Sequence, residues 1–334
     1  MTARLAWAPG VLACVAIAVV ARVLASSVGL GIDTTLALVL GIAVGLLPGV
    51  RERLRPGVKP VARYVLRVGV ALLGARLTLQ AVIDGGLAAS VAVVVIVGLG
   101  LVLGGWAARS LIRPERLGWL IAVGMAVCGN SAILALSPIV KADERETSYA
   151  VSTITLFGLI SVLLLPVLGH LFGLADHTFG MWAGLSVNDT AQVVATGFAY
   201  SPAAGDAATI VKLTRNLAIA PILIGATLLV TNERPRSFGG AVASAVPWFV
   251  VGFVALAALR TLGLLDVTMP GGLVLWQVLS DLAGWAILTA LAGVGLSTDL
   301  RAILRLGPRP LLVGVVLWVS IVVTGLILAL TLAG

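Results

Sequence analysis

Charge is the first thing this chain is short of. Asp, Glu, Lys and Arg make up 11% of its 334 residues, where a soluble domain carries about a quarter. With 60% hydrophobic residues and a mean hydropathy of +1.14, that shortage excludes a soluble globular class. Cysteine is nearly absent. Cys14 and Cys128 stand far apart in apolar context, which excludes a disulfide framework and any Cys-based metal spacing. The two histidines, His170 and His177, are too few for a His-based metal cluster and are expected at helix ends. No phosphate-binding loop is present, so ATP-driven pumping has no support, and neither a cofactor nor a metal is expected. Strand-like alternation is missing too. "VAVVVIVGLGLVLGGWAA" (91–108) is apolar on every face, unlike an outer-membrane strand.

What is there is apolar run after apolar run. A spanning helix needs roughly 20 such residues. The expected spans are 9–28, 33–49, 61–80, 87–109, 117–140, 147–172, 176–198, 205–231, 241–263, 273–297 and 310–333. The expected class is therefore an all-α polytopic membrane protein of about 11 helices, forming one integral membrane domain over 1–334. Within it, 1–30 is an extra N-terminal helix, 31–172 a first half and 173–334 a second. The first 30 residues resemble a signal peptide, with Arg4, an apolar run and small residues at Ala25–Ser27, but Arg22 interrupts the flank. An uncleaved first helix is the expectation.

The net charge of +8 is better assigned to loops than to nucleic-acid binding. Basic clusters fall at Arg51, Arg53, Arg55, Lys59 and Arg63, at Arg109, Arg113 and Arg116, at Arg234 and Arg236, and at Arg301, Arg305 and Arg309. Neighbouring clusters are separated by an even number of spans, so all four can face the cytoplasm. This places the N-terminus inside and the C-terminus outside. The agreement survives if 124–140 and 181–200 are re-entrant rather than crossing. "LLGARLT" (72–78) and "LAGVGLS" (291–297) share a short pattern on helices of opposite direction, a weak sign of an inverted repeat.

Polar residues inside these spans carry the chemistry. "IVKLTRNLAIAP" (210–221) sets Lys212 about 10 Å and Arg215 about 15 Å below the helix start. Residues three apart share a helical face, which Thr209 and Asn216 extend. A charge at mid-bilayer costs about 2.5–3.5 kcal/mol on insertion scales. Either a buried carboxylate offsets the pair, or an oxyanion does. "WAGLSVNDTAQVVATG" (182–197) crowds Ser186, Asn188, Asp189, Thr190, Gln192 and Thr196 into one span, which calls for partners or a watered cavity. In "GMAVCGNSAILALSPIV" (124–140), Gly129, Asn130 and Ser131 with Pro138 weaken the helix. A broken helix would expose backbone N–H groups that attract anions. Asp189 and Asp281, the latter beside Gln277 and Ser280, could neutralise the cations or carry a coupling proton. "KADERE" (141–146), Arg76 and Arg260 are expected to be interfacial.

"CGNSAILALSPIVKADERETSYAVSTITLFG", "WAGLSVNDTAQVVATG", "AATIVKLTRNLAIAP" and "GVALLGARLTL" resemble, in order, the signature blocks of the YeiH-like family of bacterial inner-membrane proteins assigned as sulfate exporters. That family is grouped with the cation:proton antiporter and anion-transporter superfamily. The resemblance implies an inverted-repeat fold with a scaffold domain, a transport domain and crossing broken helices. Where family members typically read Cys-Gly-Gly-Ser, this chain has Asn130 after Cys128 and Gly129. Where they often read Ser-(Ile/Val)-His-Glu, it has Ser186, Val187, Asn188 and Asp189. A His-based proton relay is thereby put in doubt, while the Lys212–Arg215 pair matches the pattern.

The expectation is a secondary transporter, not an enzyme, that exports a small sulfate- or sulfite-like oxyanion, with H⁺ or Na⁺ as coupling ion and a homodimer as one assembly. Lys212, Arg215, Gly129, Asn130, Ser131, Asn188, Gln192 and Asn216 are the candidate substrate ligands. The alternative is a cation antiporter whose basic residues are structural. An intramembrane hydrolase built on Ser131 or Ser186 with His170 lacks a recognisable arrangement, and a non-transporting sensor predicts no flux.

Overall fold

The computed structural model describes residues 7–28, 33–111, 114–231, 247–269, 272–299 and 308–332. Of the basic clusters, Arg113, Arg234, Arg236, Arg301 and Arg305 lie outside the described residues, as does Arg4. The helices in chain order are α1 (Ala8–Val28), α2 (Asp33–Gly45), α3 (Val50–Pro60), α4 (Leu66–Leu73), α5 (Leu79–Ser110), α6 (Glu115–Ala126), α7 (Asn130–Leu136), α8 (Glu144–Leu171), α9 (Asp176–Ser186), α10 (Thr190–Tyr200), α11 (Pro202–Asn216), α12 (Ile219–Thr231), α13 (Trp248–Thr261), α14 (Leu275–Ser297) and α15 (Pro308–Leu332). No strand occurs among the described residues beyond one isolated bridge, Thr268 to Val274. Six helical stretches there are long and apolar enough to cross a bilayer, with two shorter apolar helices beside them. The chain is thus an all-α polytopic membrane protein.

By contact it divides into two compact units. The first takes Met1–Asp84, Phe198–Ser201 and Pro247–Thr298; the second takes Gly85–Gly197, Pro202–Val246 and Asp299–Gly334. In the first unit, α1, α2 and α14 share a core of Cys14, Ile17, Ala18, Ala21, Ala37, Leu288, Ala292 and Leu296, with Val58 and Val61. Lipid gives helices no hydrophobic reason to associate, so close approach of small residues does the work. A Cβ on Gly41 would lie 3.1 Å from Gly295 Cα. Between α3 and α4 the chain makes a π turn, Val61–Val65, directly after Pro60, which cannot donate to the α-ladder. Asp281 belongs to this unit and is exposed on α14, so contact does not group it with the other candidate residues.

The second unit holds the rest, and here two expected spans do not cross. Segment 117–140 is a hairpin. Arg116 Nη1 donates to Lys141 O at 2.8 Å; along one straight helix those residues would stand about 37 Å apart at 1.5 Å per residue. A Cβ on Gly124 in α6 would lie 2.9 Å from Ile133 Cδ1 in α7 and 3.0 Å from Ile154 Cγ1 in α8. α7 therefore folds back along α6. The turn closing its base carries Lys141 at φ 54 and ends in a capping box, Asp143 with Glu146.

Segment 176–198 folds back as well. Gly180 packs on Ala204 and Ala207, and Gly184 on Ala208 and Val211, so α9 runs parallel to α11. Gly197 in α10 meets Gly205 and Ala208 at the same level, so α10 returns to the end from which α9 entered. The bases lie at opposite ends of α8. The first is tied to its start by Ser137 Oγ and Thr147 Oγ1, 2.7 Å apart; the second follows its end after a short link, 172–175. Both tips reach the middle of α8, since Gln192 Nε2 donates to Thr155 O at 3.2 Å. α15 runs alongside: Trp182 Nε1 donates to Val322 O and Trp318 Nε1 to Ser161 Oγ, each at 2.8 Å.

The expected span 205–231 is also interrupted, at Leu217–Ala218, where the hydrogen bonds tighten to Leu217 N–Thr214 O and Ala218 N–Arg215 O. The ladder changes directly after the two intramembrane cations.

Candidate functional site

The hairpin tips are built by residues that cannot stay helical. Gly129 sits at φ 61, ψ −127, a conformation glycine alone reaches cheaply. Val187 is extended, at φ −84, ψ 139. The tips touch: a Cβ on Gly129 would lie 3.3 Å from Asn188 C and from Asp189 Cα. Asn188 Nδ2 also donates to Met125 Sδ at 3.0 Å.

A helix ending inside a membrane leaves its last carbonyls without partners. Here α6 and α9 both end that way, and the two cations of α11 take up those carbonyls. Lys212 Nζ donates to Val127 O at 2.8 Å, Val187 O at 3.2 Å and Asn188 O. Arg215 Nε donates to Ala126 O at 2.9 Å, Nη1 to Leu185 O at 2.7 Å and Val187 O at 3.1 Å, and Nη2 to Met125 O. Both side chains are 0% exposed. All three donors of Lys212 and four of the five of Arg215 are thus committed to backbone. Each cation bridges both tips, which pins one hairpin to the other.

Among the described residues neither cation has a carboxylate within 4.0 Å; the ion pairs present, Arg22–Asp33, Arg51–Glu52 and Arg260–Asp266, lie elsewhere. Each helix end carries roughly half a charge, negative at a C-terminus and positive at an N-terminus. Two of each meet at this junction and cancel. What remains is two side-chain cations against the one carboxylate of the tips, Asp189. The junction thus sets two basic side chains against one acidic one.

The other candidate residues take distinct places. Asp189 stands at the N-terminus of α10, its Oδ1 accepting the Ala191 amide at 2.9 Å. Asn130 opens α7, half-buried, with Ser131 exposed beside it. Asn216 follows Arg215 and is buried. Gln192 lies one turn into α10 and is turned towards α8, in a slot left by Gly158. Ser186 is turned towards Gly325 of α15. Polar side-chain atoms of five of these residues are buried without a hydrogen-bond partner: Asn130 Oδ1, Ser186 Oγ, Asn188 Oδ1, Gln192 Oε1 and Asn216 Oδ1. An unpaired buried polar atom is costly, and Asn130 Oδ1 and Asn188 Oδ1 lie on the two tips themselves. Sequence reading missed the backbone acceptors Met125, Ala126, Val127, Leu185 and Val187, and the slot at Gly158. Only the glycine left a trace in the letters.

The fold and this junction define a polytopic membrane protein of transporter-like build. A family model described as conserved hypothetical protein 698 matches residues 9–314. The UPF0324 inner membrane protein YeiH of Escherichia coli is 31% identical over 266 residues, 79% of this chain and 74% of its own. The UPF0324 membrane protein SAG1125 of Streptococcus agalactiae is 30% identical over 324 residues, 95% of each chain. The UPF0324 membrane protein M6_Spy0799 of Streptococcus pyogenes is 31% identical over 344 residues, 99% of each. The chain belongs to this UPF0324, YeiH-like family. No solved structure matches it.

Proposed function

We propose that the protein is a secondary transporter, not an enzyme, that carries a small oxyanion of the sulfate or sulfite class outward across a bacterial inner membrane, and that the hairpin junction holds the anion in transit. One observation carries this reading: two fully buried cations without an ion-pair partner, at the meeting point of two hairpins that enter from opposite ends of α8. Two hairpins whose tips touch leave a thin barrier between two approaches, which suits alternating access. Lys212 and Arg215 then act chiefly through their field and by holding the tips, since their donors are engaged. Direct contact falls to Asn130, Ser131, Asn188, Asp189 and the first amides of α10, with Gln192 and Asn216 bordering them.

The N-terminus is assigned to the cytoplasm and the C-terminus to the far side, as the basic clusters suggest. A proton or Na⁺ couples the cycle, with Asp189 in the better position; Asp281 sits in the other unit. Cation antiport is the rival, favoured by the unpaired oxygens at the tips. The surplus positive charge weighs against it, because a bound Na⁺ would add to that surplus. Uptake of radiolabelled sulfite and sulfate into proteoliposomes tests the reading. Wild type should accumulate label and Arg215→Ala should not. Na⁺ flux that ignores anions, or equal label in both proteins, would overturn it.

A further inference from the structure

The unpaired amide atoms on the two tips, Asn130 Oδ1 and Asn188 Oδ1, are acceptors, and this bears on which oxyanion fits. An amide can ordinarily be turned to present its nitrogen. At Asn188 that exchange is spoken for, because Nδ2 already donates to Met125 Sδ at 3.0 Å, leaving Oδ1 unpaired. Asn188 is 0% exposed. Beside it, Asp189 spends Oδ1 on the Ala191 amide, and no hydrogen bond of the described residues engages its Oδ2. Asn130 Oδ1 is unpaired on the facing tip. A fully ionised oxyanion has only lone pairs to set against such atoms. An oxyanion that still carries a proton can donate to one of them while its charged oxygens face the positive junction.

We infer that the site selects oxyanions that carry an O–H, such as hydrogensulfite, over fully deprotonated ones such as sulfate, with Asn188 Oδ1 or Asp189 as acceptor of that proton. This rests on the oxyanion-transport reading and narrows it. The charged and titratable groups facing the junction are Asp189 from the second tip, Cys128 from the first, and Lys212 and Arg215 from α11. No bond to the anion is made or broken; the O–H donates a hydrogen bond and the proton travels with its anion.

The test is equilibrium binding to the purified full chain of sulfite, in a pH series spanning its protonation, and of sulfate over the same series. Affinity for total sulfite should fall about tenfold per pH unit once hydrogensulfite is no longer the main species, as uptake of one proton with the ligand requires. Sulfate should bind at least tenfold more weakly than sulfite at the acid end. Sulfate binding as tightly as sulfite at acid pH would place the proton on the protein and overturn the inference. Sulfite affinity that is flat or rising with pH would do the same. Asp189→Asn keeps the helix cap and removes a full charge from the acceptor side; it should tighten sulfate binding at least tenfold relative to sulfite. An unchanged ratio with Asp189→Asn would exclude Asp189 and, if the wild-type series also failed, the whole selectivity. Failure of every oxyanion to bind would instead sink the parent reading.

Discussion

Replacing Arg215 by Met should cost far more than removing any other cation except Lys212. The side chain keeps its apolar stem out to about the Nε position and loses its donors. Three backbone carbonyls, at Met125, Ala126 and Leu185, then lose their donor, while Val187 O keeps Lys212 Nζ. Each stranded buried acceptor costs about 1–3 kcal/mol. Against this, several kcal/mol are recovered because no charge needs burying. The balance is a loss of about 3–5 kcal/mol, the size seen when one partner of a buried charged contact is removed. Arg215→Lys keeps the charge and up to three donors and should lose roughly half as much. Lys59→Ala, at an exposed position, should stay within about 0.5 kcal/mol. Thermal unfolding in detergent, with helicity and monodispersity recorded together, reads all three. Arg215→Met with wild-type stability would show that the helix ends do not depend on the cation, and the account of why it is buried would fail.

Further outcomes follow from the same geometry. Gly129→Ala forces a side chain into a backbone conformation that costs about 1–3 kcal/mol and should lower the melting temperature, whereas Gly98→Ala, with open space around it, should be neutral or stabilising by up to about 1 kcal/mol; equal effects at the two sites would refute the strained tip. Arg116→Cys and Lys141→Cys should react with a membrane-impermeant maleimide from one side, and Asp176→Cys and Ala203→Cys from the other; label reaching the members of either pair from different sides would refute that hairpin. Gly158→Leu fills the slot that holds Gln192 and should depress flux at least tenfold while the protein still folds; unaltered flux would leave Gln192 without a positioning role.

Much of this was readable in the letters, for physical reasons that differ from residue to residue. Within the described residues each expected span from 9–28 to 310–333 falls mainly on helix, 61–80 on the π turn, α4 and the start of α5, while 241–246 and 333 lie outside them; apolar length is a direct demand of the bilayer. Lys212 and Arg215 announced themselves by the cost of burying charge, and Gly129 by its weak hold on a helix. His170 and His177 do lie at helix ends, at the last turn of α8 and the first of α9. The direction of 117–140 and 176–198 was not legible, since hydropathy measures how much apolar chain there is and not whether it turns back. The fold-back shows in contacts such as Gly124 with Ile133 and Gly197 with Gly205, which have no local signature. The interruption at Leu217–Ala218 did leave a mark in the letters, Pro221, which has no N–H to give the Leu217 carbonyl one turn earlier and whose ring crowds it. Partners of the cations were hidden most completely. They are carbonyl oxygens, which every residue has, so no side chain marks Met125 or Leu185 as special.

Equilibrium dialysis of the purified protein against radiolabelled sulfite at mildly acid pH addresses the positively charged junction most directly. Saturation at one anion per chain, weakened at least tenfold by Lys212→Met in protein that still unfolds cooperatively, is the result expected. Saturable Na⁺ binding with no uptake of any oxyanion would contradict it.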